Sequence, residues 1–263
     1  MTFSKGFKNL LTKKSKSILM LIGSYDSARC KGKLSSSCLC WESSIQDMTL
    51  TEQYQLGIRF FDLRYKLSDI YYINTNGSTL ERAFTDLIQC SIDSNEYVVI
   101  RLKREESSYP LPSFGYTLDS MIIRGTPLHE YVIQNHGRKD IFIYLKRAPI
   151  SNRRLIIYSD DSTLSEDNVL QSWFFPQIFD VIETRDSERV EDAIQKIHDK
   201  RFKNNGLPKA IFLTFYGTYH SEMAFELLWD HVQHAIRRYS RNGEIDCVMI
   251  SYVCANVIRA IQG

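Results

Sequence analysis

No run in these 263 residues approaches the roughly 20 consecutive apolar side chains that a helix needs to cross a bilayer. Ile18–Ile22 follows Lys5, Lys8, Lys13, Lys14 and Lys16, but it is too short for a signal-peptide core, and no small-residue cleavage site comes after it. The sequence therefore predicts neither a signal peptide nor a transmembrane segment, and a cytoplasmic or peripheral-membrane location. Cysteine is scarce: six in the chain are too few for a disulfide scaffold. Cys38 and Cys40 form the one close pair, a C-x-C without the second Cys/His pair that a zinc site requires. Neither sign of charge dominates, since 33 basic and 31 acidic residues leave a formal +2, which gives no ground for nucleic acid as a partner. Low-complexity tracts, internal repeats and linkers are also missing. With 43% hydrophobic and 24% charged residues, disordered and collagen-like classes are excluded.

What the chain does have is a succession of short apolar runs separated by helical patterns. Ser17–Ile22, Gly57–Leu63, Tyr71–Asn74, Tyr97–Leu102, Ile141–Leu145, Leu155–Tyr158, Ala210–Phe215 and Cys247–Val253 read as strands. Thr79–Ile92, Ser187–Asp199 and Ser221–Tyr239 carry apolar residues at helical spacing. Strands apolar on both faces and alternating with helices predict a mainly parallel sheet covered by helices. Seven or eight of them in this length predict an α/β fold, a single irregular (β/α) barrel of the TIM type. In such a barrel the chemistry sits on the loops after the strands. Ser107–Pro112 and Ser159–Asn168 read as exposed excursions.

Four pieces at those strand ends share a pattern. They are Gly23-Ser24-Tyr25-Asp26-Ser27, then Thr51-Glu52-Gln53 with Gly57-Ile58-Arg59-Phe60-Phe61-Asp62-Leu63-Arg64, then Ile73-Asn74-Thr75-Asn76-Gly77, and Val98-Val99-Ile100-Arg101-Leu102-Lys103-Arg104-Glu105. Taken in order they resemble the X region of phosphatidylinositol-specific phospholipase C, clearly over residues 17 to about 106 and thinly to the C-terminus. The N-terminal lysines read as a basic arm over residues 1–16, and the resemblance implies one phospholipase C X-like barrel domain over residues 17–263. It also implies a chemistry. One histidine deprotonates the inositol 2-hydroxyl for attack on phosphorus, and a second protonates the leaving glycerol. A cation steadies the phosphoryl oxygens, and an aspartate orients the first histidine.

The chain departs from the family at those positions. Tyr25 stands where the first histidine belongs, Asn76 where the second belongs, and Ser251 where the aspartate would be. A tyrosine titrates near about 10 and an asparagine does not titrate, so neither is an acid–base partner at neutral pH. These degenerate positions leave no catalytic residue to name. Asp26, Asp62, Arg64 and Lys103 match the family's substrate-binding positions, with Arg147 a further candidate. The next strand is open between Ile141–Arg147, which supplies Arg147, and Arg154–Asp160, which is slightly favoured and puts an acid there. His231 and His234, three apart beside Asp230, read as an exposed helix face, and His220 is the one histidine near the expected barrel mouth.

Three functions follow as expectations. The first is a pseudoenzyme that binds an inositol phosphate, a phospholipid head group or another phosphate ester without efficient cleavage. The second is an active phosphoric diester hydrolase with altered acid–base residues, and the third is a barrel kept as a protein-interaction scaffold. The expected partner is a phosphate-bearing small molecule or head group, with peripheral contact to a membrane; the sequence names no protein partner. No cofactor and no metal are expected. Phe60 and Lys103 occupy two positions where the calcium-dependent branch has carboxylates, which leaves too few oxygen ligands. Titration calorimetry should detect no calcium binding; a calcium site that disappears in Asp62→Ala would overturn the ligand count.

Overall fold

The computed structural model describes residues 21–24, 27, 48–68, 71–73, 79–104, 118–135, 141–145, 147–159, 174–175, 180–183, 195, 199, 208–213, 246–250 and 258. In chain order the strands are β1 (Leu21–Ser24), β2 (Phe60–Ser68), β3 (Tyr71–Ile73), β4 (Val98–Arg104), β5 (Ile122–Ile123), β6 (Thr126–Pro127), β7 (Leu155–Tyr158), β8 (Phe174–Phe175), β9 (Asp180–Glu183), β10 (Lys209–Leu213) and β11 (Cys247–Ile250). The helices are α1 (Leu50–Gln55), α2 (Leu80–Ser94) and the single turn α3 (Phe142–Leu145). The chain divides into two compact units, the first Met1–Ile58 with Phe179–Gly263 and the second Arg59–Ile178.

In the first unit, β1 pairs in parallel with β11, β11 with β10, and β10 with β9. Leu21, Ile22, Ala210, Ile211, Phe212 and all of Cys247–Ile250 are buried. Buried runs without polar alternation are what a parallel sheet covered on both faces requires. Burial pushes the Cys247 thiol well above its ordinary pKa, since no water remains to solvate a thiolate. Ahead of the boundary, α1 opens on a capping box. Thr49 accepts from the Glu52 N–H at 3.3 Å, and the Glu52 carboxylate accepts from the Thr49 N–H at 2.8 Å. Gly57, at φ 108, takes the left-handed turn that releases the chain from this helix.

In the second unit, β2, β4, β7 and β8 pair in that order, all parallel. The return from β2 to β4 runs through α2, whose stripe of Leu80, Ala83, Phe84, Leu87, Ile88 and Ser91 is buried at helical spacing. Thr79 caps its first turn by accepting from Arg82 N–H. Asn95, left-handed at φ 55, ends it, as asparagine can at little steric cost. Arg59 then pins the start of β2 beside that turn, with Nε and Nη2 donating to Glu96 Oε2 at 2.8 and 2.5 Å. β5 and β6 form a small hairpin turned by Arg124 (φ 54) and Gly125 (φ 80), the two positive φ values of a type I′ turn. Parallel strands joined through α2 make this an α/β fold.

Several expectations need correction. Tyr71–Ile73 is a strand, but it lies antiparallel on the far end of β2 as a hairpin, not as a further parallel strand. Ile141–Leu145 is not a strand; the segment turns as α3, because five successive apolar residues carry no period that separates helix from strand. The strand following β4 in the sheet is β7, the second of the two alternatives. Neither β8 nor β9 was expected from the sequence, being 2 and 4 residues long. The basic arm, Ser107–Pro112, Ser221–Tyr239 and nearly all of Ser187–Asp199 lie outside the described residues.

Leu87 is fully buried in the stripe that seats α2. Leu87→Ala should lower the unfolding free energy in urea by about 2–5 kcal/mol, and Thr79→Ala by about 1 kcal/mol. Equal small effects from the two would mean that α2 is not packed as described.

Candidate functional site

The parallel register of β2 on β4 sets the site. Phe60 stands opposite Val99, Asp62 opposite Arg101, and Arg64 opposite Lys103. Side chains alternate along a strand, so these six residues share one face in three layers. On the next strand Ile156 and Tyr158 extend the first two layers, opposite Val99 and Arg101. The lowest layer, Phe60, Val99 and Ile156, is apolar and fully buried. Above it the face becomes charged.

Asp62 is the centre of that charge. Its side chain is 0% exposed, and its two oxygens serve different cations: Oδ2 accepts from Arg64 Nε at 3.1 Å, and Oδ1 lies 3.6 Å from Arg101 Nη1. Arg64 and Arg101 are themselves buried, while Lys103 is partly exposed beside Arg64. A carboxylate buried alone would pay a desolvation penalty of several kcal/mol, which paired guanidiniums offset only with good geometry. In return the carboxylate orients the guanidinium planes. A guanidinium is a rigid fork of donors whose geometry fits the oxygens of a phosphate or carboxylate, and an ammonium is a compact point charge.

Of the residues singled out in the sequence, the structure brings together Asp62, Arg64 and Lys103. Arg101 joins them and was missed. Its signal was available: a charge inside the apolar run Val98–Leu102, two residues before Lys103 and so on the same face. Arg147 is not brought to this group. It is exposed in the turn after α3, donating its N–H to Tyr144 O at 2.9 Å, near the N-terminal end of β7. Lys103 lies toward the opposite, C-terminal end of β4. Phe60 contributes only apolar floor.

Tyr25, Asp26, Asn76 and Ser251 lie outside the described residues, as does His220. The two residues flanking Tyr25-Asp26 are described, in the first unit. Ser27 Oγ donates to Ser24 O at 2.6 Å, Ser24 Oγ to Ser27 Oγ at 2.7 Å, and Gln53 of α1 donates to Ser27 O at 2.8 Å. The Thr51-Glu52-Gln53 piece of the sequence pattern thus has a physical purpose, since its glutamine fastens the turn after β1. Among the described residues, no three His, Cys, Asp or Glu side chains group as metal ligands, and no helix is long and apolar enough to cross a membrane.

The backbone matches solved structures along nearly its whole length. A phosphatidylinositol-specific phospholipase C from Listeria monocytogenes superposes with a TM-score of 0.66, over 98% of this chain and 97% of that one. One from Staphylococcus aureus, solved in work on modulation of its membrane binding, superposes at 0.63 over 99% of both. The fold is that of these bacterial phospholipases. Sequence identity is only 16% and 15% respectively, so the likeness is one of fold. No family model matches the sequence, and no curated protein matches it.

Breaking the buried pairs should be costly. Asp62→Asn should lower the unfolding free energy by about 3–5 kcal/mol by leaving buried guanidiniums without their carboxylate. Arg82→Ala, at the exposed 3.1 Å pair with Asp86, should change it by no more than about 0.5 kcal/mol. Chemical denaturation of both variants checks the contrast.

Proposed function

We propose that the face bearing Asp62, Arg64, Arg101 and Lys103 is the floor of a phosphate-ester site, at one end of a single closed, irregular (β/α) barrel. The protein is then a phospholipase C-like pseudoenzyme that takes an inositol phosphate or a phospholipid head group without efficient cleavage. The observation that carries this reading is the buried Asp62 carboxylate shared between two arginines, with Lys103 in register beside Arg64. Three cations on one face against a single described carboxylate, two of them paired with it and Lys103 in register beside Arg64, suit an anion better than a neutral ligand. The fold supports the choice of phosphate ester, since the phospholipases it resembles are named for phosphatidylinositol.

Loss of cleavage rests on the substitutions. Attack by an inositol hydroxyl needs a base unprotonated near neutrality, and departure of the glycerol needs an acid. Tyr25 and Asn76 supply neither, and Ser251 has no carboxylate to orient a replacement. Each missing acid–base group removes about 10²–10⁴ in rate, leaving what phosphate binding and electrostatics provide. The Asp62 ion pairs also support a second reading, a scaffold whose charges only close the strand ends. Binding separates the two.

Calorimetry with a soluble inositol phosphate should show binding that Lys103→Gln weakens about tenfold to a hundredfold, the worth of one charge-assisted hydrogen bond. No binding by the folded protein would leave the scaffold. Turnover of phosphatidylinositol at pH 7 should stay near background. Turnover within about tenfold of a competent family member, a small part of the loss expected from two missing groups, and abolished by Tyr25→Phe, would show an altered active site instead.

A further inference from the structure

The charged face of β2 and β4 holds one cation more than the sequence pattern gives it. Asp62, Arg64 and Lys103 are the positions on these strands that the resemblance gives to substrate binding, and Arg101 is not one of them. Arg101 is 3% exposed and stands in register with Asp62, one layer beneath Lys103. Lys103 is about 7 Å further along the same strand. Tyr158 of β7 continues the Arg101 layer, and Phe60, Val99 and Ile156 lie beneath it. The carboxylate of Asp62 is divided between two layers, with Oδ2 accepting from Arg64 Nε at 3.1 Å and Oδ1 lying 3.6 Å from Arg101 Nη1. Glu96, the acid just before β4, is engaged by Arg59 at the other end of the strands. Whatever else these side chains touch, Arg101 brings one more positive charge under the group formed by Arg64 and Lys103.

An added cation does not favour all phosphate esters equally. A diester carries one negative charge, whereas a monoester carries close to two above its second pKa of about 6. A fixed positive charge attracts the doubly charged ester twice as strongly as a singly charged one in the same place. The difference is the energy of one charge pair, and it is screened less beside a buried guanidinium than in water. We propose that this site selects a phosphate monoester dianion over a phosphodiester, and that Arg101 makes the selection. Arg101 is a positioning residue in this arrangement. It engages one oxygen of Asp62 and adds its own charge beneath the ligand, while Arg64 and Lys103 stand nearer to it. The inference rests on the phosphate-ester reading of this face and names the class of ester taken.

The test is titration calorimetry of the full chain with inositol monophosphate, a monoester, and glycerophosphoinositol, a diester. At about pH 7 the monoester should bind at least about tenfold more tightly. That advantage should shrink about tenfold at about pH 5, where most of the monoester holds a second proton. The diester, singly charged at both pH values, reports any titration of the protein itself, Asp62 included. Arg101→Met should weaken the monoester about tenfold more than the diester, and Arg101→Lys, which keeps the charge, should restore most of that difference. A loss of structure alone would weaken both ligands alike. A short-chain phosphatidylinositol monophosphate separates the two sources of such a group. It binds more tightly than inositol monophosphate where the natural ligand is a lipid head group, and more weakly where it is a free ester. Failure of both esters to bind would remove the phosphate-ester reading and this inference with it. Equal binding of the two, a preference indifferent to pH, or one unchanged in Arg101→Met would overturn this inference alone. The ligand comparison and the pH series use the unaltered protein, so they decide the matter even where Arg101→Met does not fold.

Discussion

A carboxylate with no access to water must be neutralised by its protein neighbours, and Asp62 is in that position. Arg64 reaches it from its own strand and Arg101 from the next. Neither contact would survive a shift of register. Moving β4 by one residue relative to β2 would turn Arg101 and Lys103 to the opposite face and put Ile100 or Leu102 beside the carboxylate. The pairing of charge and the pairing of strands therefore constrain each other, and the arrangement of the second unit follows from satisfying both.

The register is secured from outside the charged layer. Phe60, Val99 and Ile156 form a dry floor, which keeps water from the charged groups on that side and makes imperfect pairing costly. On the other face of the strands, Phe61, Leu63, Ile100 and Leu102 are buried, and α2 supplies an apolar stripe of its own. The Arg59–Glu96 pair then ties the first residues of the second unit to the turn between α2 and β4. An apolar lower layer with charge above it is the usual division between the filled interior and the ligand end of parallel α/β structures.

The two ends of the strands in this unit differ in chemistry. Toward the C-terminal end, Arg64 and Arg101 are buried beside Asp62, and the partly exposed Lys103 stands in register next to Arg64, an arrangement suited to one small anion. At the N-terminal end Arg147 and Arg153 are exposed on the loop that carries Ile150. The same residue type thus serves different roles according to what holds it. Arg64 is held by a carboxylate, whereas Arg147 is exposed with its backbone N–H donating to Tyr144 O.

Much of this was legible in the sequence, for local reasons. The stripe of α2, the run Leu155–Tyr158 and the pieces around Asp62 and Lys103 carry their own periodicity or composition, so residues within a few positions of each other define them. What the sequence could not decide depends on partners distant along the chain. Ile141–Leu145 is uniformly apolar and became a helical turn through its surroundings, while Tyr71–Ile73 folded back on β2 because its pairing partner is antiparallel. For the same reason Arg101 lies beside Asp62 while Arg147 lies in the turn after α3. By itself the sequence determined which side chains each strand and helix carries and on which face. Only the tertiary structure decided which strand ends meet, and electrostatic pairing over a few ångströms depends on that meeting.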